Sequence, residues 1–251
     1  MNLIIGKNSM MAKSMSNLIE GTYISYLELD DINSDNFNKI YLLSFPEKYK
    51  VNLEKNFEFE KKVFSTFRDK EIFIFSTSKV YPYIELCNEM LEPEPNSCYA
   101  ENKLYIEKLV TQFTDKYFIL RISNVFSNKN WATGTFFDTV NSTFVSKGII
   151  KFDVSFNSIR DFITTESLSE IIIEINHTKR YGVYNVGSQT GIKIEDVLKL
   201  FFKKRDYDTI EKIQTSVIKS QTLNIDKLSN LININHNDIH KNVLKELGGI
   251  K

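Results

Sequence analysis

Cysteine is scarce in this chain of 251 residues, which contains only Cys87 and Cys98. Two cysteines argue against a disulfide framework, and their spacing does not match a zinc site built from cysteine ligands. An excess of charge of either sign is also missing, because 32 basic side chains face 32 acidic ones. No overall field therefore favours nucleic acid as a partner, although a local basic pocket for a phosphorylated ligand is still allowed.

Long hydrophobic runs are missing as well. No stretch reaches the ~20 apolar residues that span a bilayer, and the short apolar start of the chain lacks a basic leader and a cleavage site. We therefore expect no membrane partner and a cytoplasmic location. We also expect no bound metal, because the three histidines have no ligand partners at useful spacing: His177, His236 and His240.

Apolar residues make up 42% of the chain, which is enough to bury a sizeable core. Helical spacing predicts helices at residues 10–19 and within 49–68. Short apolar runs of the kind found in parallel sheets predict strands at 2–6, 22–27, 39–44 and 71–76. This β-α-β-α alternation is typical of a doubly wound sheet.

The alternation continues beyond residues 92–97, where two prolines block regular structure and Ser97 can cap a helix that runs to about Phe113. A strand at 117–122 follows at once. The sequence then becomes polar and aromatic, which indicates an insertion and a small second lobe. The elements predicted there are helices at 136–147 and 194–203, a further helix within 160–175, and a strand at 184–187.

Residues 99–103 (YAENK) place Tyr99 and Lys103 four residues apart, and therefore on one face of the predicted helix. A free phenol has a pKa of about 10 and is a poor base at neutral pH, but a neighbouring cation favours the phenolate and lowers that pKa. The pair predicts proton transfer by Tyr99, with donors of Lys103 left for ribose hydroxyls. Taken alone, the same spacing also fits a solvated helix face.

Four further segments accompany this pair, at residues 75–82 (FSTSKVYP), 120–126 (LRISNVF), 160–163 (RDFI) and 183–188 (VYNVGS). Together they resemble the extended short-chain dehydrogenase/reductase family, also called the epimerase/dehydratase family. The resemblance implies an α/β fold: a Rossmann-like, doubly wound parallel sheet with a small C-terminal substrate-binding lobe. In that division the dinucleotide-binding domain comprises residues 1–126 and 159–182, and the substrate-binding lobe comprises 127–158 and 183–251.

The family's pattern also assigns functional residues. Thr77, Tyr99 and Lys103 would be catalytic, with Thr77 hydrogen-bonded to the sugar oxygen that gains or loses a proton. Gly6, Ser9 and Ala12 stand at the three glycine positions of the family's phosphate-binding turn, where small side chains let the backbone approach a pyrophosphate. The implied cofactor contacts are Gly6, Ser9, Met10, Met11, Ala12, Ser44, Tyr99 and Lys103. The implied substrate contacts are Thr77, Ser78, Asn124 and Arg160.

The resemblance implies NAD(P)(H) as the cofactor. An acidic residue that closes the second strand would bind the ribose 2′-hydroxyl of NAD, but Glu28 and Asp30 come slightly late for this role. No arginine stands there for a 2′-phosphate either. The Gly-Lys start, followed by small residues, is similar to that of sugar reductases, which favours NADPH.

The two residues after Thr77 bear on the reaction. In the family's 4,6-dehydratases they are Asp and Glu, the acid and base of water elimination, whereas here they are Ser78 and Lys79. The resemblance therefore implies reduction of a nucleotide-linked 4-keto-6-deoxy sugar, for bacterial surface polysaccharide precursors.

Two other functions stay open. A nucleotide-sugar 4-epimerase would use the same three residues, and a dinucleotide-binding sensor or scaffold would keep the fold without the reaction. For the two enzymes the implied partner is a nucleotide-diphosphate sugar. The sequence does not fix the oligomeric state, and a homodimer is compatible with it.

Overall fold

The computed structural model describes residues 1–127, 136–137, 140, 144, 148–202 and 207–249. The strands are β1 (Asn2–Ile5), β2 (Thr22–Ile24), β3 (Lys39–Leu42), β4 (Glu71–Thr77), β5 (Tyr117–Ile122), β6 (Asn124–Phe126), β7 (Ile149–Lys151), β8 (Ile159–Arg160), β9 (Phe162–Thr164), β10 (Gly182–Val186), β11 (Ile192–Lys193) and β12 (Glu211–Ile213). The helices are α1 (Met10–Met15), α2 (Lys48–Val51), α3 (Glu58–Thr66), α4 (Cys98–Val110), α5 (Thr165–Ile175), α6 (Ile194–Phe201), α7 (Asp226–Ile232) and α8 (His236–Gly249).

Six strands form one sheet in the order β10-β5-β4-β3-β1-β2, and every neighbouring pair is parallel. The chain passes from β1 to β2 at one edge and then returns to the other side of β1 to form β3. This reversal is the switch point at which open α/β sheets bind their ligands, beyond the carboxyl ends of the strands. The prediction of a Rossmann-like, doubly wound parallel sheet is confirmed.

Both faces of the sheet are covered, as the unbroken apolar runs predict. Alternate residues of each strand point to opposite faces, so that Ile4 lies in one hydrophobic core and Leu3 in the other. The first core contains the rings of Tyr41, Phe73 and Phe118, which stack across β3, β4 and β5 with centroids 4.6 Å apart. Helices α1 and α5 pack on this face, and α3 and α4 pack on the other.

Helix α4 begins where the sequence predicts. Ser97 precedes it in extended conformation, and its side-chain oxygen accepts a hydrogen bond of 3.3 Å from the backbone N–H of Ala100. Its apolar stripe of Ile106, Leu109 and Val110 is buried against the sheet. The helix ends at Val110, a few residues before the predicted end. Tyr99 therefore lies in its first turn and Lys103 in the next.

The second lobe is made of short pieces. The helix expected within residues 160–175 is present as α5, which begins at Thr165, and the residues before it form β8 and β9, which pair with β11 and β6. The strand assigned to this lobe, β10, instead pairs with β5 at the edge of the central sheet. The predicted boundary at residue 183, between the dinucleotide-binding domain and the lobe, is therefore wrong, because it cuts off a strand that belongs to the central sheet. The helix predicted at 136–147 falls mainly outside the described residues.

A buried carboxylate joins the lobe to the sheet. Asp161 follows β8 and accepts hydrogen bonds of 2.8 Å from both the backbone N–H and the hydroxyl of Ser188. It also accepts backbone N–H bonds of 3.2 Å from Gln189 and Leu223. A Cβ on Gly187 would lie 2.6 Å from its Oδ2, so only glycine fits there. Three distant segments thus meet at one side chain.

Across the described ranges, no helix combines the length and the apolar character that crossing a membrane requires.

Candidate functional site

A cavity of about 1190 Å³ opens above the carboxyl ends of β1, β3, β4 and β5. Its volume lies at the upper end of what ligand sites in proteins usually have. Most of the residues that the sequence assigns to the site line its wall: Gly6, Ser9, Met10, Met11, Ser44, Thr77, Ser78, Tyr99, Lys103 and Asn124. The structure does not bring Ala12 or Arg160 into this wall.

The turn after β1 is built for close backbone approach. Gly6 has a φ of +112°, and a Cβ there would lie 2.7 Å from the backbone nitrogen of Ser44 at the end of β3. Ser9 caps α1, since its hydroxyl accepts the backbone N–H of Ala12 at 3.1 Å. Ala12 itself is buried beneath the turn, with 1% exposure. It shapes the turn by packing, whereas Gly6 and Ser9 border the cavity.

Tyr99 and Thr77 meet at the opposite wall of the cavity. Burial raises the pKa of Tyr99, and a side-chain hydrogen bond to Thr77 opposes that rise only in part. Thr77 lies at the end of β4, where its hydroxyl also accepts the backbone N–H of Lys79 at 3.3 Å. The prediction that Lys103 lowers the pKa of this phenol is wrong here, because the Lys103 ammonium lies 6.0 Å from the ring centroid and burial dominates.

Lys103 is buried on the cofactor side of the cavity. Its Nζ donates a hydrogen bond of 2.6 Å to the carbonyl of Phe75 and lies 4.2 Å from the centroid of the Phe45 ring. Burial lowers the pKa of Lys103 to about 8, while the charges of Glu107 and Glu60 act in the opposite direction. An ammonium group has three donors, so two remain for a ribose after the bond to Phe75.

A buried ion pair supports this wall from below. Arg121 of β5 donates to both carboxylate oxygens of Glu107, at 2.8 to 3.3 Å, and to the hydroxyl of Tyr81 at 2.8 Å. Ser76, next to Thr77, donates to the same carboxylate. This pair was not predicted, although the sequence carries two signals for it: a charged residue inside the apolar strand 117–122 and a carboxylate four residues after Lys103.

Phe45 was also missed. Its ring packs edge-to-face with the Tyr99 ring at a centroid distance of 5.2 Å, and its centroid lies 4.2 Å from the Lys103 ammonium. It therefore contacts both residues of the YxxxK pair. No sequence pattern announces this contact, because Phe45 follows β3 and precedes Tyr99 by more than fifty residues.

Two of the four predicted substrate residues, Asn124 and Arg160, occupy different places. Asn124 lines the cavity and donates a hydrogen bond of 2.8 Å to the backbone carbonyl of Asp161. Arg160 donates to the carbonyls of Ile159 and Lys219, and its guanidinium carbon lies 5.5 Å from the centroid of the Tyr83 ring. It stands beside the cavity, close enough to Lys79 for its charge to lower the pKa of that side chain.

The far end of the cavity carries an ion pair. The ammonium of Lys7 donates to both carboxylate oxygens of Glu28 at 2.8 Å, and the same carboxylate accepts the backbone N–H of Ser25 at 2.6 Å. Lys7 and Ser25 line the cavity. Two short 3-10 segments, Tyr26–Asp31 and Ser34–Asn36, fill the stretch between β2 and β3 in place of a longer crossover.

The donor set fits a nicotinamide dinucleotide. The Gly6 turn would face the pyrophosphate, and Ser44, Tyr99 and Lys103 line the path from that turn to Thr77. The cavity is large enough to leave room for a second ligand beside Thr77 and Asn124.

Comparison with known proteins agrees with this geometry. A family model described as the NAD dependent epimerase/dehydratase family matches residues 43–187, which is more than half of the chain. No curated protein is significantly similar to it in sequence.

Several solved structures share the fold across nearly the whole chain. MoeE5 in complex with UDP-glucose and NAD has a TM-score of 0.79 and 13% identity, over 99% of this chain and 96% of its own. A UDP-N-acetylglucosamine 4-epimerase from Methanobrevibacter ruminantium M1 has a TM-score of 0.77 and 17% identity over 99% and 96%. A dTDP-4-dehydrorhamnose reductase from Bacillus anthracis, in complex with NADP, has a TM-score of 0.75 and 16% identity over 99% and 96%. At such low identity these likenesses show the fold alone.

Proposed function

Because the chain belongs to the NAD-dependent epimerase/dehydratase family, we propose that it is an NAD(P)H-dependent reductase of a nucleotide-linked 4-keto-6-deoxy sugar. The observation that carries this proposal is the meeting of Thr77, Tyr99 and Lys103 in one cavity. The residues after Thr77 are Ser78 and Lys79, which do not supply the acid and base of water elimination. Reduction needs neither.

The side chains divide the work of such a reduction. A bound nicotinamide cofactor supplies the hydride. Tyr99, kept protonated by its raised pKa, donates a proton to the sugar oxygen, and Thr77 holds that oxygen and the phenol together through its hydroxyl. Lys103 binds the ribose with the donors that its bond to Phe75 leaves available.

The substrate and cofactor have separate places in this proposal. The sheet and the Gly6 turn hold the cofactor, and the described part of the small lobe lies on the sugar-nucleotide side. Ser78 and Asn124 contact the substrate from the cavity wall, and Arg160 reaches its diphosphate from beside the cavity with a planar fork of donors. The MoeE5 structure is a complex with UDP-glucose and the 4-epimerase structure is a complex with UDP-N-acetylmuramic acid, which supports a nucleotide-diphosphate sugar here.

We favour NADPH over NADH because Lys7, a cation, lines the far end of the cavity, whereas Glu28 stands behind it. The related fold of the dTDP-4-dehydrorhamnose reductase carries NADP. The product would serve the synthesis of bacterial surface polysaccharide precursors. The protein would act in the cytoplasm, and a homodimer is compatible with this role. These parts of the proposal rest on the family resemblance.

A 4-epimerase is the second candidate, since oxidation and re-reduction at one carbon would use the same Thr77, Tyr99 and Lys103. A non-catalytic dinucleotide sensor is the candidate of another class. It would bind NADPH and turn over neither substrate.

The test uses purified protein, a thymidine-diphosphate-linked 4-keto-6-deoxyhexose and NADPH. We expect consumption of NADPH together with the keto sugar, and a fall in turnover of roughly 10²- to 10⁴-fold in Tyr99→Phe with NADPH binding preserved. Tyr105→Phe on the same helix, where the ring stacks on Phe57 outside the cavity, is the control and keeps the parent rate.

Each competing function has its own result in this assay. Interconversion of C4 epimers without net loss of NADPH would identify the epimerase. Tight NADPH binding without turnover of either substrate would identify the sensor. A Tyr99→Phe protein that reduces the keto sugar at the parent rate would rule out Tyr99 as the proton donor.

A further inference from the structure

Lys79 stands in the cavity wall beside Tyr99. It belongs to a single 3-10 turn, Ser78–Val80, that starts directly after β4, and its backbone N–H is bonded to the hydroxyl of Thr77. Its ammonium lies 5.6 Å from the centroid of the Tyr99 ring. The turn therefore places the Lys79 ammonium beside Tyr99, while its backbone is bonded to Thr77, the other residue that the proposed function places at the reacting oxygen.

This cation has no counter-charge in the parts of the chain that the structure describes. The Nζ of Lys79 makes no hydrogen bond and no ion pair there, and the charge that acts on it is the like charge of Arg160. Although the side chain keeps access to solvent through the cavity, surrounding protein and Arg160 together lower its pKa. Because this exposed ammonium has no protein partner among the described residues, its three donors are available to an anionic oxygen bound in the cavity.

Lys103 is poorly placed to serve the same oxygen. One of its donors is used by the carbonyl of Phe75, and the Phe45 ring lies against its ammonium. Burial has raised the pKa of Tyr99, so the phenol gains little from the buried lysine. Of the two lysines near Tyr99, Lys79 is the one whose ammonium faces the cavity without a partner among the described residues.

From this geometry we infer that Lys79 is a further catalytic residue, whose ammonium group stabilises the negative charge that develops on the sugar carbonyl oxygen. The inference rests on the proposed function. The carbonyl carbon accepts a hydride, with its two electrons, from the reduced nicotinamide, and the π pair of the C=O bond moves to the oxygen. That oxygen takes the proton of Tyr99, which recovers one from water. Lys79 keeps its own proton throughout and contributes as a preorganised donor.

The experiment compares Lys79→Met with Lys79→Arg, using the thymidine-diphosphate-linked 4-keto-6-deoxyhexose and NADPH. Removing one oxyanion donor typically costs roughly 10²- to 10³-fold in kcat, so we expect a fall of that size in Lys79→Met. In Lys79→Met, KM and the NADPH affinity, which is followed by fluorescence, should change by less than about threefold. The kcat of Lys79→Arg should be at least about tenfold higher than that of Lys79→Met. Lys61→Met, at an exposed lysine of α3, is the matched control and keeps the parent rate.

A second readout does not depend on turnover. In a crystal structure of Tyr99→Phe with the keto sugar bound, Lys79 Nζ should lie within about 3.2 Å of the carbonyl oxygen. An ammonium directed at the diphosphate, or a Lys79→Met protein that loses only substrate affinity, would overturn the inference. So would a Lys79→Met protein with the parent kcat. If the parent protein binds NADPH and reduces no keto sugar, the proposed function and the inference both fail, whereas the other contrary results leave the proposed function intact.

Discussion

The sheet and the small lobe of this protein hold their residues in place by different means. In the sheet, each strand repeats the same parallel pairing, and buried apolar side chains cover both faces. In the lobe, the described strands pair only two by two, and the carboxylate of Asp161 joins segments that are distant in sequence. The sheet distributes its stability over many similar contacts, whereas the lobe concentrates part of its stability in one side chain.

This difference bears on function, because the two regions meet at the cavity. The sheet presents Thr77 and the Gly6 turn from strand ends that many neighbours fix. The lobe presents Arg160 directly before Asp161, so that the substrate side depends on a few polar contacts. Four predictions test whether stability and chemistry divide in this way.

Asp161→Ala should have the largest effect. It leaves the N–H groups of Ser188, Gln189 and Leu223 without their acceptor, and each buried unpaired donor costs about 1–3 kcal/mol. We expect the free energy of unfolding to fall by about 3–5 kcal/mol, measured by urea denaturation with unchanged slope. Asp153→Ala, at an exposed position of the same lobe, is the control. Equal midpoints for the two variants would show that the lobe does not depend on this carboxylate.

Gly6→Ala tests the sheet side at its most constrained position. A methyl group at a φ of +112° is strained, and it would lie 2.7 Å from the backbone nitrogen of Ser44, which cannot move without β3. We expect a loss of about 1–3 kcal/mol of stability and weaker NADPH binding. Gly248→Ala is the control, because a Cβ there meets nothing and lies in a helix. If both variants melted at the parent temperature and bound NADPH equally well, the turn would be more tolerant than its geometry indicates.

The same contrast explains how far the sequence could predict the structure. Strand β4 and helix α4 follow from local signals, an unbroken apolar run and the Ser97 cap, and the YxxxK pattern with Thr77 identifies the catalytic wall through a family resemblance. Strands β8 and β9, which precede α5, were not predicted because each pairs with residues far along the chain. The sign of the Tyr99 pKa shift was unpredictable for a similar reason, since it depends on burial by distant residues such as Phe45.

Lys103 gives a prediction about pH on the sheet side. Its pKa is lowered to about 8 by burial, so the ammonium proposed to bind ribose is present below that pH and is lost as the pH rises through it. We expect NADPH affinity to fall roughly tenfold from about pH 7 to about pH 9, as one required proton is lost. Lys103→Arg, which stays charged, should bind with an affinity that does not vary over this range. A parent protein with constant affinity would place the ribose on another donor.

Arg160→Met should give the smallest effect and tests the lobe side of the cavity. Its guanidinium already donates to the carbonyls of Ile159 and Lys219. Binding a diphosphate would replace some of these hydrogen bonds with charge-assisted ones, so the net gain in hydrogen bonding is small. We therefore expect substrate affinity, measured by calorimetry with a nucleotide-diphosphate sugar, to fall only about fivefold, which corresponds to about 1 kcal/mol. NADPH affinity should not change, because Arg160 lies outside the wall that the Gly6 turn shares with Lys103. An unchanged substrate affinity would assign this arginine to the packing of the lobe around Tyr83, and a loss of cofactor affinity would show that the two regions are coupled across the cavity.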